Sequence, residues 1–113
     1  MVRLKIPVVI DFSAHTTVGE TDIRMNGIIR EMATTIGALT GGPATVTLAI
    51  VDTDDVPQFS QASIAEGATT IVQTWNSVNL AVPVAGLVTV QLTASEAQSV
   101  DSTNYVYVWL EQN

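Results

Sequence analysis

Ala44-Thr45-Val46-Thr47-Leu48-Ala49-Ile50-Val51-Asp52 decides how this chain folds. Val46, Leu48 and Ile50 recur at every second position, with Thr45, Thr47 and Ala49 between them. That is the period of a pleated strand with one buried face. Gly41-Gly42-Pro43 punctuates the stretch in front, and Asp52-Thr53-Asp54-Asp55 stops it behind. The arrangement returns at Val88, Val90 and Leu92, and again at Val106, Val108 and Leu110. Three such runs predict the middle of a β-sandwich.

Working outward, residues 3–12 alternate without a break. Leu4, Ile6, Val8, Ile10 and Phe12 fall on one side; Arg3, Lys5, Pro7, Val9 and Asp11 fall on the other. Pro7 has no N–H to give to a ladder, so this strand is expected at an edge, where it can also pair with a neighbouring subunit. Ser13 to Glu20 reads as a polar loop ending in Gly19, so residues 1–20 form an N-terminal edge strand, or arm, and loop. Residues 21–36 support two readings. Met25, Ile28, Ile29, Met32 and Ile36 fit helical spacing, and Asp22 is placed to cap such a helix. Against a helix stand the turn dipeptide Asn26-Gly27 and the β-branched Thr34, Thr35 and Ile36. A strand from about Gly27 to Ile36 is the preferred expectation.

Beyond the central strand, Val56 to Gln61 reads as a short strand and Ile64 to Gly67 as a turn. Thr69 to Trp75 is rich in β-formers, and Val78, Leu80 and Val82 alternate. Pro83 and Gly86 bound a short connection, and a polar loop, Ala94 to Asn104, separates strands at 87–93 and 104–111. The expected fold is therefore all-β: one antiparallel sandwich over residues 1–113, Ig-like or jelly-roll-like, of about seven to eight strands.

The totals agree. A chain of 113 residues, 47% hydrophobic and 13% charged, is one packed domain and not a disordered segment. It has no cysteine, which removes disulfides and thiolate metal sites. No apolar run is long enough for a membrane helix, and Asp11 interrupts any secretory pattern, so synthesis in the cytoplasm is expected. The net charge of −7 is unevenly spread. Arg3, Lys5, Arg24 and Arg30 lie in the first thirty residues beside three acids, and the remainder holds eight acids and no base. Such a balance offers nothing to nucleic acid. It serves solubility, or it lets a basic N-terminal segment dock on an acidic surface.

Little in the chain demands a reaction. His15 lies near Ser13 and Asp11, but neighbours in sequence do not assemble a nucleophile, base and orienting acid in line. Asp52, Asp54 and Asp55 are the one cluster with any likeness to a calcium loop, and Val56-Pro57 stand where a ligand and the glycine belong. A plain acidic turn is the better reading, so no metal and no cofactor are expected. Gly41-Gly42 runs into Pro43 with no lysine nearby, and Glu66, Glu96 and Asp101 are too dispersed for an acid/base pair. The expectation is a protein without catalytic residues, and not an enzyme.

The last strand carries more. With Val106, Val108 and Leu110 facing inward, Tyr105, Tyr107 and Trp109 line up on the opposite face. Such a stripe suits protein contact, unless a loop or the N-terminal strand covers it within the molecule; Trp75 can join either surface. Arg3, Lys5, Pro7, Tyr105, Tyr107 and Trp109 are the candidate interface residues.

From residue 44 onward the order of features resembles the small all-β virion proteins of tailed bacteriophages that decorate the head. The features are the Val46 to Asp55 strand and acidic turn, Ala65-Glu66-Gly67-Ala68-Thr69-Thr70, the Val82 to Gly86 turn, a Val-Thr-Val-Gln-Leu strand and the terminal Tyr-Val-Tyr-Val-Trp strand. The acidic turn departs from the family in lacking a glycine, and the region before residue 40 has no counterpart. The resemblance implies a structural protein of the virion that binds the outside of an assembled capsid through the phage major capsid protein. Proteins of that kind work as trimers or as monomers; the edge strand with Pro7 favours a homo-oligomer, and neither nucleic acid nor a membrane is expected as partner. Two alternatives stand beside it: another virion component (tail, neck or fibre domain), and a carbohydrate-binding β-sandwich using Trp75, Trp109 and the tyrosines.

Overall fold

A computed structural model describes residues 1–10, 17–39, 44–71, 79–98 and 102–112. Asp11, Phe12, Ser13, His15, Gly41 to Pro43, Trp75, Val78 and Asp101 lie outside the described residues. Seven strands run through the described part: β1 (Val2–Ile10), β2 (Val18–Ile36), β3 (Val46–Val51), β4 (Pro57–Ile64), β5 (Gly67–Ile71), β6 (Val82–Ala94) and β7 (Ser102–Glu111). All pairings are antiparallel, in the order β1-β7-β2-β6-β3-β4, with β5 added to β2. The all-β antiparallel sandwich expected from alternation is the observed architecture.

The strand β2 is what makes two layers out of one sheet. Its first part, Val18 to Ile29, pairs with β6; its last part, Ile28 to Thr35, pairs with β7, and Met32 to Ile36 also pairs with β5. Between them the register slips at Arg30, a β-bulge. Gly19, Met25, Gly27 and Ile29 are buried before the bulge; Met32, Thr34 and Ile36 are buried after it. A bulge bends and twists its strand, so one strand crosses from layer to layer while keeping its apolar side on the core. Two glycines help the bend. Gly27 (φ 141°) and Gly86 on β6 (φ 90°) hold backbone angles that side chains resist, and they sit two pairs apart on adjoining strands.

The edge of β1 then comes against the first part of β2. Thr21 Oγ1 donates to Pro7 O, and a Cβ at Gly19 would collide with the Val9 carbonyl. The closed space is filled by Ile6, Val8, Ile10, Met25, Ile29, Met32, Leu48, Ile50, Val90, Leu92, Val106 and Val108, each at most 2% exposed. At about 1.5–3 kcal/mol per fully buried aliphatic side chain, this core is the main source of stability. A bonded polar group is built into it. Asn104, fully buried, accepts from Gly37 N–H through Oδ1 (2.9 Å) and donates to Val8 O through Nδ2 (3.2 Å). It joins β7 to β1 and to the chain leaving β2.

Four sequence expectations need correction. The polar loop to Glu20 is too long, because Val18 to Glu20 already pair with β6. Asn26-Gly27 is no turn but the bend inside β2, and neither the helix nor a strand limited to 27–36 describes residues 21–36. Pro83 and Gly86 lie within β6 and do not connect two strands. Over Val82 to Val88 that strand is paired to β2 but not to β3, whose ladder begins at Thr89, so a missing donor is tolerated on the open side. Finally, the loop before the last strand is shorter than expected: Ala94 ends β6, and Ser102 to Asn104 belong to β7.

Candidate interaction surface

The outer face of the β1/β7 layer collects all six candidate residues. Antiparallel pairing places Arg3 opposite Trp109, Lys5 opposite Tyr107 and Pro7 opposite Tyr105. Because alternate residues share a face, Val106, Val108 and Leu110 are spent on the core and the three aromatics are left outside, half-buried in a row. The cations lean diagonally over the rings: the Arg3 guanidinium carbon is 5.2 Å from the Tyr107 centroid, and Lys5 Nζ is 4.4 Å from that of Tyr105. Exposed cation–π contacts of this kind contribute about 0.5–1 kcal/mol each, enough to hold long side chains flat against the sheet.

On its other side the row is flanked by residues that the sequence did not single out. Glu31, Ala33 and Thr35 of β2 lie opposite Trp109, Tyr107 and Tyr105, and Thr70 and Ala68 of β5 continue the face beyond Ala33 and Thr35. These are short side chains, apart from Glu31, so the aromatic ridge stands above a low shelf. The backbone of the N-terminal strand lies beside the ridge, and its Arg3 and Lys5 side chains reach over Tyr107 and Tyr105. The signal that would have shown the shelf was present, since Glu31, Ala33 and Thr35 alternate with the buried Met32 and Thr34. It required knowing that β2 runs next to β7.

The remaining cations are elsewhere. Arg30 is paired with Glu111 (Nε to Oε2, 2.7 Å) and Arg24 is exposed on the part of β2 that pairs with β6. The acidic turn is a self-contained device. Asp52 Oδ1 accepts from the N–H groups of Asp54 and Val56 (2.9 Å each), and Oδ2 accepts from Gln58 Nε2 (3.1 Å). Its carboxylate is occupied in closing the turn. Glu66 likewise accepts from the Leu39 N–H (2.7 Å). Among the described residues no group of three His, Cys, Asp or Glu is placed to hold a metal ion, and no helix is long and apolar enough to cross a membrane. Beside the turn, Ile28, Pro83, Val84 and Val88 line a depression together with Asp52 and Gln58.

No protein-family model and no curated protein matches the chain. Among solved structures it is similar to the virus-like particle of extra small virus (XSV) of the giant freshwater prawn Macrobrachium rosenbergii. The identity is 14%, over 98% of this chain and 80% of that one, with a TM-score of 0.31. A superposition of that quality assigns no role.

Proposed function

We propose that this chain is a structural protein of a virion, that it binds the outer surface of a phage capsid, and that it stabilises the shell by protein–protein contacts. The observation that supports this most is the row of Tyr105, Tyr107 and Trp109, partly exposed on one sheet face, with Arg3 and Lys5 laid over it. Tyr, Trp and Arg are the residues that dominate the energy of protein interfaces. A flat ridge is suited to covering a surface and poorly suited to enclosing a small substrate. In this reading the work is adhesion without catalysis, the partner is the major capsid protein, and many modest contacts add up over a lattice.

Purified capsids incubated with the protein and then sedimented test the reading. Arg3→Glu with Lys5→Glu is expected to lower occupancy on the shell at least tenfold while the circular dichroism spectrum stays unchanged. Unaltered occupancy removes these cations from the contact. The partly exposed rings also suit stacking on sugars, so a glycan array with Trp109→Ala as control separates the carbohydrate-binding alternative: specific glycan binding lost in the variant would favour it.

A further inference from the structure

The aromatic ridge is not uniform along its length. Arg3 stands opposite Trp109 and Lys5 opposite Tyr107, yet each side chain is shifted one row toward Tyr105. The Arg3 guanidinium lies over Tyr107 and the Lys5 ammonium over Tyr105, and among the described residues no cation lies over Trp109. Across from Trp109 on its other side stands Glu31, partly exposed like the ring itself. Its carboxylate has no hydrogen bond or ion pair among the described residues. Directly paired side chains on one sheet face are about 5 Å apart at Cβ, so carboxylate and indole border one spot. The other acid at this end, Glu111, is already held by Arg30 (2.7 Å). One end of the ridge therefore carries two cations, and the other an unpaired carboxylate beside an uncovered indole. Tyr105 and Trp109 are four residues apart on β7, about 14 Å at ~3.4 Å per residue.

An aromatic ring with a carboxylate at its side is the chemistry that receives a cation, because the ring quadrupole and the negative charge attract the same guest. This molecule does not supply that guest. Arg3 is turned to Tyr107, Arg30 is held by Glu111, and Arg24 lies on the part of β2 that pairs with β6. We infer that Trp109 and Glu31 form a seat for an arginine or lysine side chain of the docked protein. The partner surface is then dipolar: a cation for this seat, and acids about 14 Å away along the ridge for Arg3 and Lys5. The inference deepens the capsid-binding reading and rests on it. It also sets the direction in which the ridge lies on its partner, since turning the molecule end for end places like charges together at both ends.

Sedimentation with purified capsids tests it through the sign of one substitution. Against a partner acidic throughout, removing the Glu31 charge takes away a repulsion and tightens binding. A dipolar partner gives the reverse. Glu31→Gln should weaken capsid binding about threefold and Glu31→Lys roughly tenfold or more, although both make the ridge more positive. Trp109→Phe keeps a ring but makes a poorer cation contact; it should weaken binding about threefold alone and add nothing in Glu31→Lys. Circular dichroism and Tm should be unchanged in each variant. Binding that is tighter or unaltered in both Glu31 variants would overturn the seat, as would a Trp109→Phe loss that persists in full in Glu31→Lys. If Arg3→Glu with Lys5→Glu still abolishes binding in that case, attachment through the ridge stands without the seat. No capsid binding by the unsubstituted protein would overturn the attachment itself and the seat with it. Sedimentation of the free proteins closes the remaining route: self-association lost in Glu31→Lys would make the occupant a second ridge laid head to tail, and would overturn the dipolar capsid surface.

Discussion

Thr34 sits on the inner side of β2 at 1% exposure, and its Oγ1 meets no hydrogen-bond partner among the described residues. A buried hydroxyl without a partner costs about 1–3 kcal/mol, and valine has the same shape without the cost. Thr34→Val is therefore expected to stabilise the fold by about 1 kcal/mol, a rise of ~4 °C in Tm by calorimetry. An unchanged or lower Tm would mean that the hydroxyl is satisfied in solution. Gly27 behaves in the opposite way. A Cβ there meets the Glu111 carbonyl, which is backbone and cannot turn aside, and φ is 141°. Gly27→Ala should cost several times the ~1 kcal/mol that glycine saves by leaving an exposed helix, on the order of 3 kcal/mol in urea titration. Neither residue is readable beforehand: Thr34 looks like any β-branched strand residue, and Gly27 after Asn26 looks like a hairpin.

The helical pattern in residues 21–36 has a physical explanation at the level of the element. Met25, Ile29, Met32 and Ile36 are all buried, with spacings of four, three and four. Two alternating runs joined through one bulged residue produce such spacing, so a bulged strand imitates a helix face. Strands β1, β3 and β7, which alternate without interruption over most of their length, were legible from letters alone. So was the edge position of Pro7. The parts that were not legible, Asn26-Gly27 and Pro83 to Gly86, are where two paired strands bend together, and bending borrows the vocabulary of turns. The bulge itself can be tested. Arg30→Ala removes only the exposed pair with Glu111, worth less than about 1 kcal/mol. Deleting Arg30 keeps the in–out alternation but straightens the strand that must serve both layers, and it should abolish cooperative unfolding. A deletion variant as stable as Arg30→Ala would show that the bend does not depend on the bulge.

Across the whole molecule the charge is sorted in space as well as in sequence. The net charge is −7, yet Arg3 and Lys5 lie over the aromatic ridge, while Arg30 is neutralised by Glu111 and Arg24 lies on another strand. Reading the letters located the basic segment and the ridge separately. The register of β1 on β7, which a sequence does not state, merges them into one face. Under the proposed function, that merger makes the two contributions to attachment separable by salt. Charges outside a dry interface are screened over ~10 Å at 0.1 M ionic strength and ~3 Å at 1 M, whereas apolar contact is not weakened by salt. Attachment of the unsubstituted protein to capsids should therefore fall several-fold between 0.05 and 0.5 M salt, on the order of the change expected for two exposed cations. Tyr107→Ala with Trp109→Ala should lose about 2 kcal/mol or more at every salt concentration and keep the same slope. Arg3→Glu with Lys5→Glu should flatten or invert the slope. Binding that ignores salt in all three proteins would place the shell on a different face of the molecule, because no route through the ridge avoids these two cations.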